Sequence, residues 1–151
     1  VLAVLANQVW LHTYATEGIT EEIAAYVLSE LTPARFRGFL DDPATAVFVA
    51  ERDRSLVGLA VVEFGATCPA SDDFAAELRT LYVQEPFTGC GVGTALLRAA
   101  EARAREHSST RLWLMVNTRN RRAVGFYEHH GYARVGTAFF VLGDGRYENH
   151  V

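Results

Sequence analysis

Leu81-Tyr82-Val83-Gln84-Glu85-Pro86-Phe87-Thr88-Gly89-Cys90-Gly91-Val92-Gly93-Thr94-Ala95-Leu96-Leu97 reads as the end of an apolar strand, a short loop, and a helix opened by three glycines. The helix is expected from about Val92 to Glu106. Ala95, Leu96 and Ala99 recur at helical spacing, while Arg98, Glu101 and Arg105 face outward. Glycines at a helix start let backbone come close to a ligand, and first-turn N–H groups have no partner within the helix. Together with the positive end of the helix dipole, those donors make an anion site suited to phosphate. The segment Gly89, Cys90, Gly91, Val92, Gly93 and Thr94 is therefore expected to hold a phosphate-bearing cofactor. A turn that only lets the helix pack close to its strand stands beside that reading.

Outward from this stretch, elements follow in both directions. Toward the N-terminus, Glu77 to Val83 reads as a strand, preceded by a loop from Gly65 to Asp73 with Pro69, Ser71 and two aspartates. Before it, Ala46–Glu51 and Leu56–Phe64 form a hairpin around Arg52-Asp53-Arg54-Ser55. Three helices lead the chain: Val1 to Tyr14, about Thr20 to Leu31 with Thr20 as N-cap, and Pro33 to Leu40. Toward the C-terminus come a strand at Arg111–Asn117, a helix at Asn120–His129 ended by Gly131, and a strand at Tyr132–Leu142. Gly143-Asp144-Gly145 then turns into a return strand from Arg146 to Val151. This order predicts an α/β fold, one domain over 1–151, with a mixed sheet, helices on both faces and a parallel strand–helix–strand piece from Glu77 to Asn117. Because Val1 to Tyr14 already reads as helix, the numbering is expected to begin inside the domain.

Bulk properties exclude several classes. The chain has 151 residues, half of them apolar, and a formal charge of −4. Its arginines cluster only at Arg119, Arg121 and Arg122, so a broad nucleic-acid-binding face is not expected. No apolar run approaches the roughly 20 residues that span a bilayer. Cys68 and Cys90 form neither a metal-type pair nor a disulfide framework, and a reduced cytoplasmic setting is the expectation. His12, His129 and His130 have no ligand spacing, so no metal is expected.

A nucleotide P-loop requires a lysine that this loop lacks. A dinucleotide motif requires a different glycine spacing and an acidic residue about 20 positions on, where Trp113 stands. The decisive second segment is Asn120-Arg121-Arg122-Ala123-Val124-Gly125-Phe126-Tyr127-Glu128-His129-His130-Gly131-Tyr132. It resembles the signature of the GNAT N-acetyltransferases, Asn-x-x-Ala-x-x-Phe-Tyr-Glu-x-x-Gly-Phe/Tyr, at each position. The glycine loop is similar to that family's acetyl-CoA loop, Gln/Arg-x-x-Gly-x-Gly/Ala, through Gly91 and Gly93. It departs at Thr88, where Gln or Arg is usual, which removes one side-chain contact to the pyrophosphate. The likeness covers nearly the whole chain and lacks only the family's first strand.

The resemblance implies a mostly antiparallel GNAT-like sheet and acetyl-CoA as cosubstrate. It also implies a strand that splays to expose backbone at Leu81, Tyr82 and Val83 to pantetheine and the thioester oxygen. Thr88 through Thr94 would hold the pyrophosphate, and the amide of Asn120 the pantetheine arm. Tyr127 would be the general acid for the departing thiolate, and Glu77, at the start of its strand, the candidate base. A solvent-facing strand-end glutamate is the alternative for Glu77. An alkylamine with a pKa near 10 is almost wholly protonated at neutral pH, so a base or water relay is needed. Cys90 sits in the pyrophosphate loop, and its side chain is read as incidental.

By the same likeness the acceptor lies between the N-terminal helices and the final hairpin. Trp10, Tyr14, Phe36, Phe139, Tyr147 and His12 are candidate lining, with core packing the preferred role of Trp10. The implied reaction is direct acetyl transfer to a primary amine of a small molecule or peptide. The helical start and the Asp-Gly hairpin are similar to small-molecule members, polyamine acetyltransferases among them. A homodimer is left open. A catalytically silent CoA-binding sensor is the competing function.

Overall fold

The computed structural model describes residues 1–71 and 74–151. The predicted loop aspartates at 72 and 73 lie outside the described residues. Three helices come first: α1 (Leu2–Tyr14), α2 (Glu21–Glu30) and α3 (Pro33–Asp41). The hydroxyls of Thr20 and Thr32 cap α2 and α3 by accepting the N–H groups of Ile23 and Arg35. Each satisfies one of the orphan donors that open a helix.

β1 (Thr45–Arg52) and β2 (Ser55–Thr67) form the expected hairpin. Its two-residue turn places both Asp53 and Arg54 at positive φ, 50° and 64°. β2 runs three residues past the predicted Phe64, so Gly65 to Thr67 are strand rather than loop. From Val57 to Val62 every β2 residue is buried. Ala60 and Val62 pack under α4 (Val92–Glu106), while Leu59 and Val61 face α1 and α3. Burying a side chain of this kind contributes about 1.5–3 kcal/mol, which makes β2 the spine of a sheet covered on both faces.

β3 (Phe74–Val83) pairs antiparallel with β2 and parallel with β4 (Leu112–Trp113), as expected for the strand–helix–strand unit. Glu77 is therefore the fourth residue of β3 rather than its first. The single strand predicted over Arg111–Asn117 is in fact two. β4 ends at Trp113, and β5 (Val116–Asn117) joins a second sheet of order β5-β7-β6. Leu114 is buried beneath α4 and Met115 is exposed, so successive side chains leave in different directions where the strand breaks.

α5 (Arg121–His129) follows, with the Asn120 Oδ1 accepting the Ala123 N–H as its N-cap. The strand predicted from Tyr132 starts only at Thr137: β6 spans Thr137–Leu142 and β7 spans Gly145–His150. In the turn between them the positive φ falls on Gly143, at 55°, not on the Asp-Gly pair.

Candidate active site

Two neighbouring strands that part company create the site. β3 and β4 are in register only at Ala76–Leu112 and Glu77–Trp113. From Leu78 to Val83, among the described residues, the β4-side edge of β3 has no strand partner. Glu77 thus stands at the apex of the opening. Beyond it, Leu81 and Val83 pack toward α4 and Tyr82 toward α1.

A β-bulge shapes this stretch. Val61 is in register with Thr80 and Val62 with Leu78, so Arg79 is the extra residue. The insertion shifts the side-chain alternation by one. Ala76 and Leu78 face α4 before it, and Leu81 and Val83 face α4 after it. Bulges bend a strand and re-aim its side chains, and this one lies next to the point where pairing with β4 ends.

Past Val83 the chain makes a 3-10 turn at Glu85–Phe87 and enters the glycine loop. Gly89 and Gly91 sit at φ of 72° and 84°, the left-handed region that glycine adopts without strain. Gly91 is the N-cap of α4 and supplies no side-chain cap, and no acidic side chain occupies the first turn. The first intrahelical bond runs from the Ala95 N–H to the Gly91 carbonyl at 3.0 Å. The N–H groups of Val92, Gly93 and Thr94 are thereby left as donors at the positive end of the helix. A Cβ on Gly93 would stand 3.4 Å from the Phe126 ring, in ordinary contact, so α4 and α5 lie close together here.

The loop's side chains are turned to local duties. The Thr88 hydroxyl donates to the Glu85 carbonyl at 2.7 Å, closing the 3-10 turn. Cys90 is exposed, with its Sγ 3.6 Å from the Thr88 carbonyl. The Thr94 hydroxyl meets the His130 Nε2 at 3.0 Å. The donors this loop leaves open are main-chain N–H groups.

Two cavities flank the opening. On the α1–α2 side lies a cleft of about 1740 Å³ whose wall includes Tyr14, Glu77, Tyr82, Asn120 and Phe140. On the α4–α5 side a cavity of about 500 Å³ includes Trp113, Leu114 and Tyr127 in its wall. Glu77 lines the first cavity and Tyr127 the second, with the Tyr127 phenol near enough to Tyr14 and Tyr82 of the first for their charges to interact. Burial raises the Glu77 carboxyl above the usual carboxylate range, with the Arg79 charge opposing that rise and Glu63 adding to it. Burial also pushes the Tyr127 phenol well up, and the neighbouring Tyr14 adds to the shift. Tyr82 is pushed up in the same way, first by burial and then by Tyr26, Tyr14 and Tyr127. These phenols stay protonated at neutral pH and can donate hydrogen bonds or protons.

Asn120 is already engaged. While its Oδ1 caps α5, its side chain lies beside the Tyr14 phenol and opposes the upward shift that burial imposes there.

The predicted acceptor residues divide. Trp10 and Phe36 are buried core whose edges reach the cleft, and Tyr14 and Tyr147 line it. Trp10 stacks on Tyr26 with ring centroids 4.8 Å apart. Phe139 points out of the cleft, under the Arg146 guanidinium at 4.2 Å. The inward residue is Phe140, whose ring meets Tyr26 edge-on at 5.4 Å. Alternation along β6 decides this, and it is visible only once the strand's start is fixed. His12 is not in the cleft wall; its Nε2 lies 3.7 Å from the Glu85 carboxylate. Among the described residues no group of acidic, histidine or cysteine side chains could hold a metal, and no helix is long and apolar enough to cross a membrane.

The acetyltransferase (GNAT) family profile matches residues 10–132, across the splayed strands, the glycine loop and α5. The chain belongs to the GNAT acetyltransferase family. With that membership comes the enzyme class, an acetyl-CoA-dependent N-acetyltransferase. A relative from Mycobacterium tuberculosis, named an uncharacterised N-acetyltransferase, is 37% identical over 123 residues, covering 82% of this chain and 75% of the relative. Among solved structures, the PaiA N-acetyltransferase of Thermoplasma acidophilum in complex with coenzyme A has the same fold. It aligns with a TM-score of 0.75 at 20% identity over 99% of this chain and 89% of that one. An aminoglycoside N-acetyltransferase in complex with CoA aligns at 0.67 and 17% identity over 72% and 82%.

Proposed function

We propose that this GNAT enzyme moves an acetyl group from acetyl-CoA directly to a primary amine of a small molecule or peptide, as a single domain over 1–151. The observation that carries the reading is the pairing of an open β3 edge, Leu78 to Val83, with three unpaired N–H donors at Val92, Gly93 and Thr94. An extended thioester-bearing arm ending in a pyrophosphate needs a backbone edge followed by an anion seat. Backbone of Leu81, Tyr82 and Val83 would pair with pantetheine and polarise the thioester oxygen. The loop from Thr88 through Gly89, Cys90, Gly91, Val92, Gly93 and Thr94 would seat the pyrophosphate through main-chain donors. Asn120, whose Oδ1 is engaged by the Ala123 N–H, would meet the arm through its amide nitrogen while ordering the wall beside it.

The chemistry then divides between two buried groups. Glu77 takes a proton from the acceptor ammonium, and the amine nitrogen attacks the carbonyl carbon. The carbon–sulfur bond breaks, and Tyr127 gives its proton to the departing thiolate. A base whose pKa lies above an ordinary carboxylate's is better matched to neutral pH. The supporting observation for each role is burial beside the strand opening. The free thiols of Cys68 and Cys90 agree with the cytoplasm as the compartment.

A thiol-release assay with acetyl-CoA and a panel of amines tests the reading. Release of CoA that depends on the amine and on Glu77 supports it. Tight acetyl-CoA binding with no release for any acceptor would instead favour a silent sensor.

A further inference from the structure

Glu63 on β2 and Glu77 on β3 are in direct register across the sheet. Side chains in directly opposed positions stand about 5 Å apart, and like charges there repel. The bulged residue separates them. Because Arg79 has no partner residue of its own on β2, its side chain is free to swing between the two carboxylates. Its Nη1 lies 2.5 Å from the Glu63 Oε2 and 3.5 Å from the Glu77 Oε2. The guanidinium also approaches the Phe39 ring of α3, at 5.9 Å from its centroid. The three groups differ in exposure: the Glu77 side chain is 12% exposed, against 34% for Glu63 and 36% for Arg79.

We propose that Arg79, anchored by Glu63, is a positioning residue that aims the Glu77 carboxylate at the acceptor amine. The proposal rests on Glu77 being the base. Arg79 is divided unequally, with its short contact on the outer carboxylate and its long one on the inner. Glu63 thus draws most of the cation's hydrogen bonding outward, and Glu77 keeps an oxygen available to the cleft. A fully engaged Arg79 would hold Glu77 as a strong ion pair and make it a poor proton acceptor. Without Arg79, Glu77 would face Glu63 unscreened. The charged groups bearing on Glu77 are Arg79 from its own strand and Glu63 from β2, while β4 places Trp113 opposite it.

This arrangement makes two substitutions act in opposite directions. The acid limb of kcat/KM follows protonation of the free enzyme's base. Arg79→Gln removes the neighbouring cation and should move that limb to higher pH, by on the order of one unit. Glu63→Gln removes a like charge and releases Arg79 to Glu77, so the limb should move to lower pH. Arg79→Lys keeps the charge and should return the limb toward wild type while kcat stays reduced, because the planar fork is lost. KM for acetyl-CoA should not move in any of the three. Glu77→Gln is measured alongside and should abolish the limb.

If Glu77→Gln loses the limb but Arg79→Gln and Glu63→Gln leave it in place or shift it the same way, the positioning role is overturned and the base assignment stands. If Glu77→Gln keeps the limb, the base assignment fails. Should Arg79→Gln not fold, Glu63→Gln decides alone, because its side chain is one-third exposed and its loss leaves no buried charge unpaired.

Discussion

One guanidinium nitrogen of Arg122 bonds both oxygens of the Glu85 carboxylate, at 2.7 and 2.9 Å, tying the first turn of α5 to the turn that follows β3. His12 of α1 approaches the same carboxylate, and the side-chain amides of Gln84 and Gln8 bond nearby. Both partners of the ion pair are about half exposed, so its contribution to stability is small, about 0–1 kcal/mol. Its larger effect is on the cofactor. Glu85 is an anion beside the loop proposed to receive the pyrophosphate, and Arg122 neutralises it. Arg122→Ala is therefore expected to raise KM for acetyl-CoA several-fold, with an effect that shrinks as salt is added, while the melting temperature barely moves. Adding Glu85→Gln should recover part of the loss. Steady-state kinetics at two ionic strengths check this.

Gly91 gives a second expectation. At φ of 84° an alanine is strained by about 1–2 kcal/mol, and the strain falls on the residue whose carbonyl starts α4. Gly91→Ala should lower the melting temperature and raise KM for acetyl-CoA about tenfold, with less effect on kcat. Gly91→Asn should recover much of both, because asparagine tolerates this region better than alanine. An equal loss in the two variants would mean that side-chain bulk, not backbone strain, is responsible.

Tyr127→Phe keeps the ring packed against Phe126 and Tyr132, at centroid distances of 5.3 and 5.7 Å, and removes only the hydroxyl. A general acid is worth about 10²-fold or more. The expected outcome is a kcat lowered by that order with KM for acetyl-CoA almost unchanged. Because burial pushes this phenol up, the wild-type basic limb should not be its ionisation, and the limb should persist in the variant. Full turnover in Tyr127→Phe would remove the acid assignment.

Glu77 also links activity to stability. Burial raises its carboxyl above the ordinary value of 4.5, so folding favours the protonated form. The stability this confers is present below the unfolded-state value and is lost as pH rises through the folded one. At neutral pH the ionised carboxylate is a cost. Glu77→Gln should therefore melt at a higher temperature than wild type at pH 7, with the difference closing as pH falls through the raised folded-state value and gone below 4.5, while CoA release is lost. Thermal scans across pH measure it, and a variant less stable at neutral pH would contradict the argument.

Much of this site was legible in the residues themselves. Helix α4 begins at Val92 and ends at Glu106 as its periodicity predicts, and the three-glycine opening does leave free donors. Thr20 caps α2, and the parallel pairing of β3 with β4 follows from the helix between them. The misses share a physical cause: they lie where tertiary pairing overrides local pattern. Leu112 to Val116 is one apolar run, and nothing local separates the part that pairs with β3 from the part that pairs with β7. The bulge did leave a trace, since the inward apolar positions change from even at Ala76 and Leu78 to odd at Leu81 and Val83. That phase change could have found Arg79. Likewise Phe139 and Phe140 are adjacent aromatics, and choosing between them requires the register of β6 on β7.

The break at Leu114–Met115 divides the backbone into two hydrogen-bonded sheets that, among the described residues, share a chain but no ladder bond. Their amides need not open together. Gly58 to Val62 sit in the centre of one sheet with pairing on both sides, and should exchange with deuterium only in near-global unfolding. The amides of β6, on an edge of the smaller sheet, should exchange through cheaper openings. A cosubstrate whose arm lies in the gap would reach both sheets at once and stand in for the missing rungs. On that proposal acetyl-CoA would be the strand that completes the fold, and its binding should slow exchange in β5 and β7 as well as in the loop proposed to grip it.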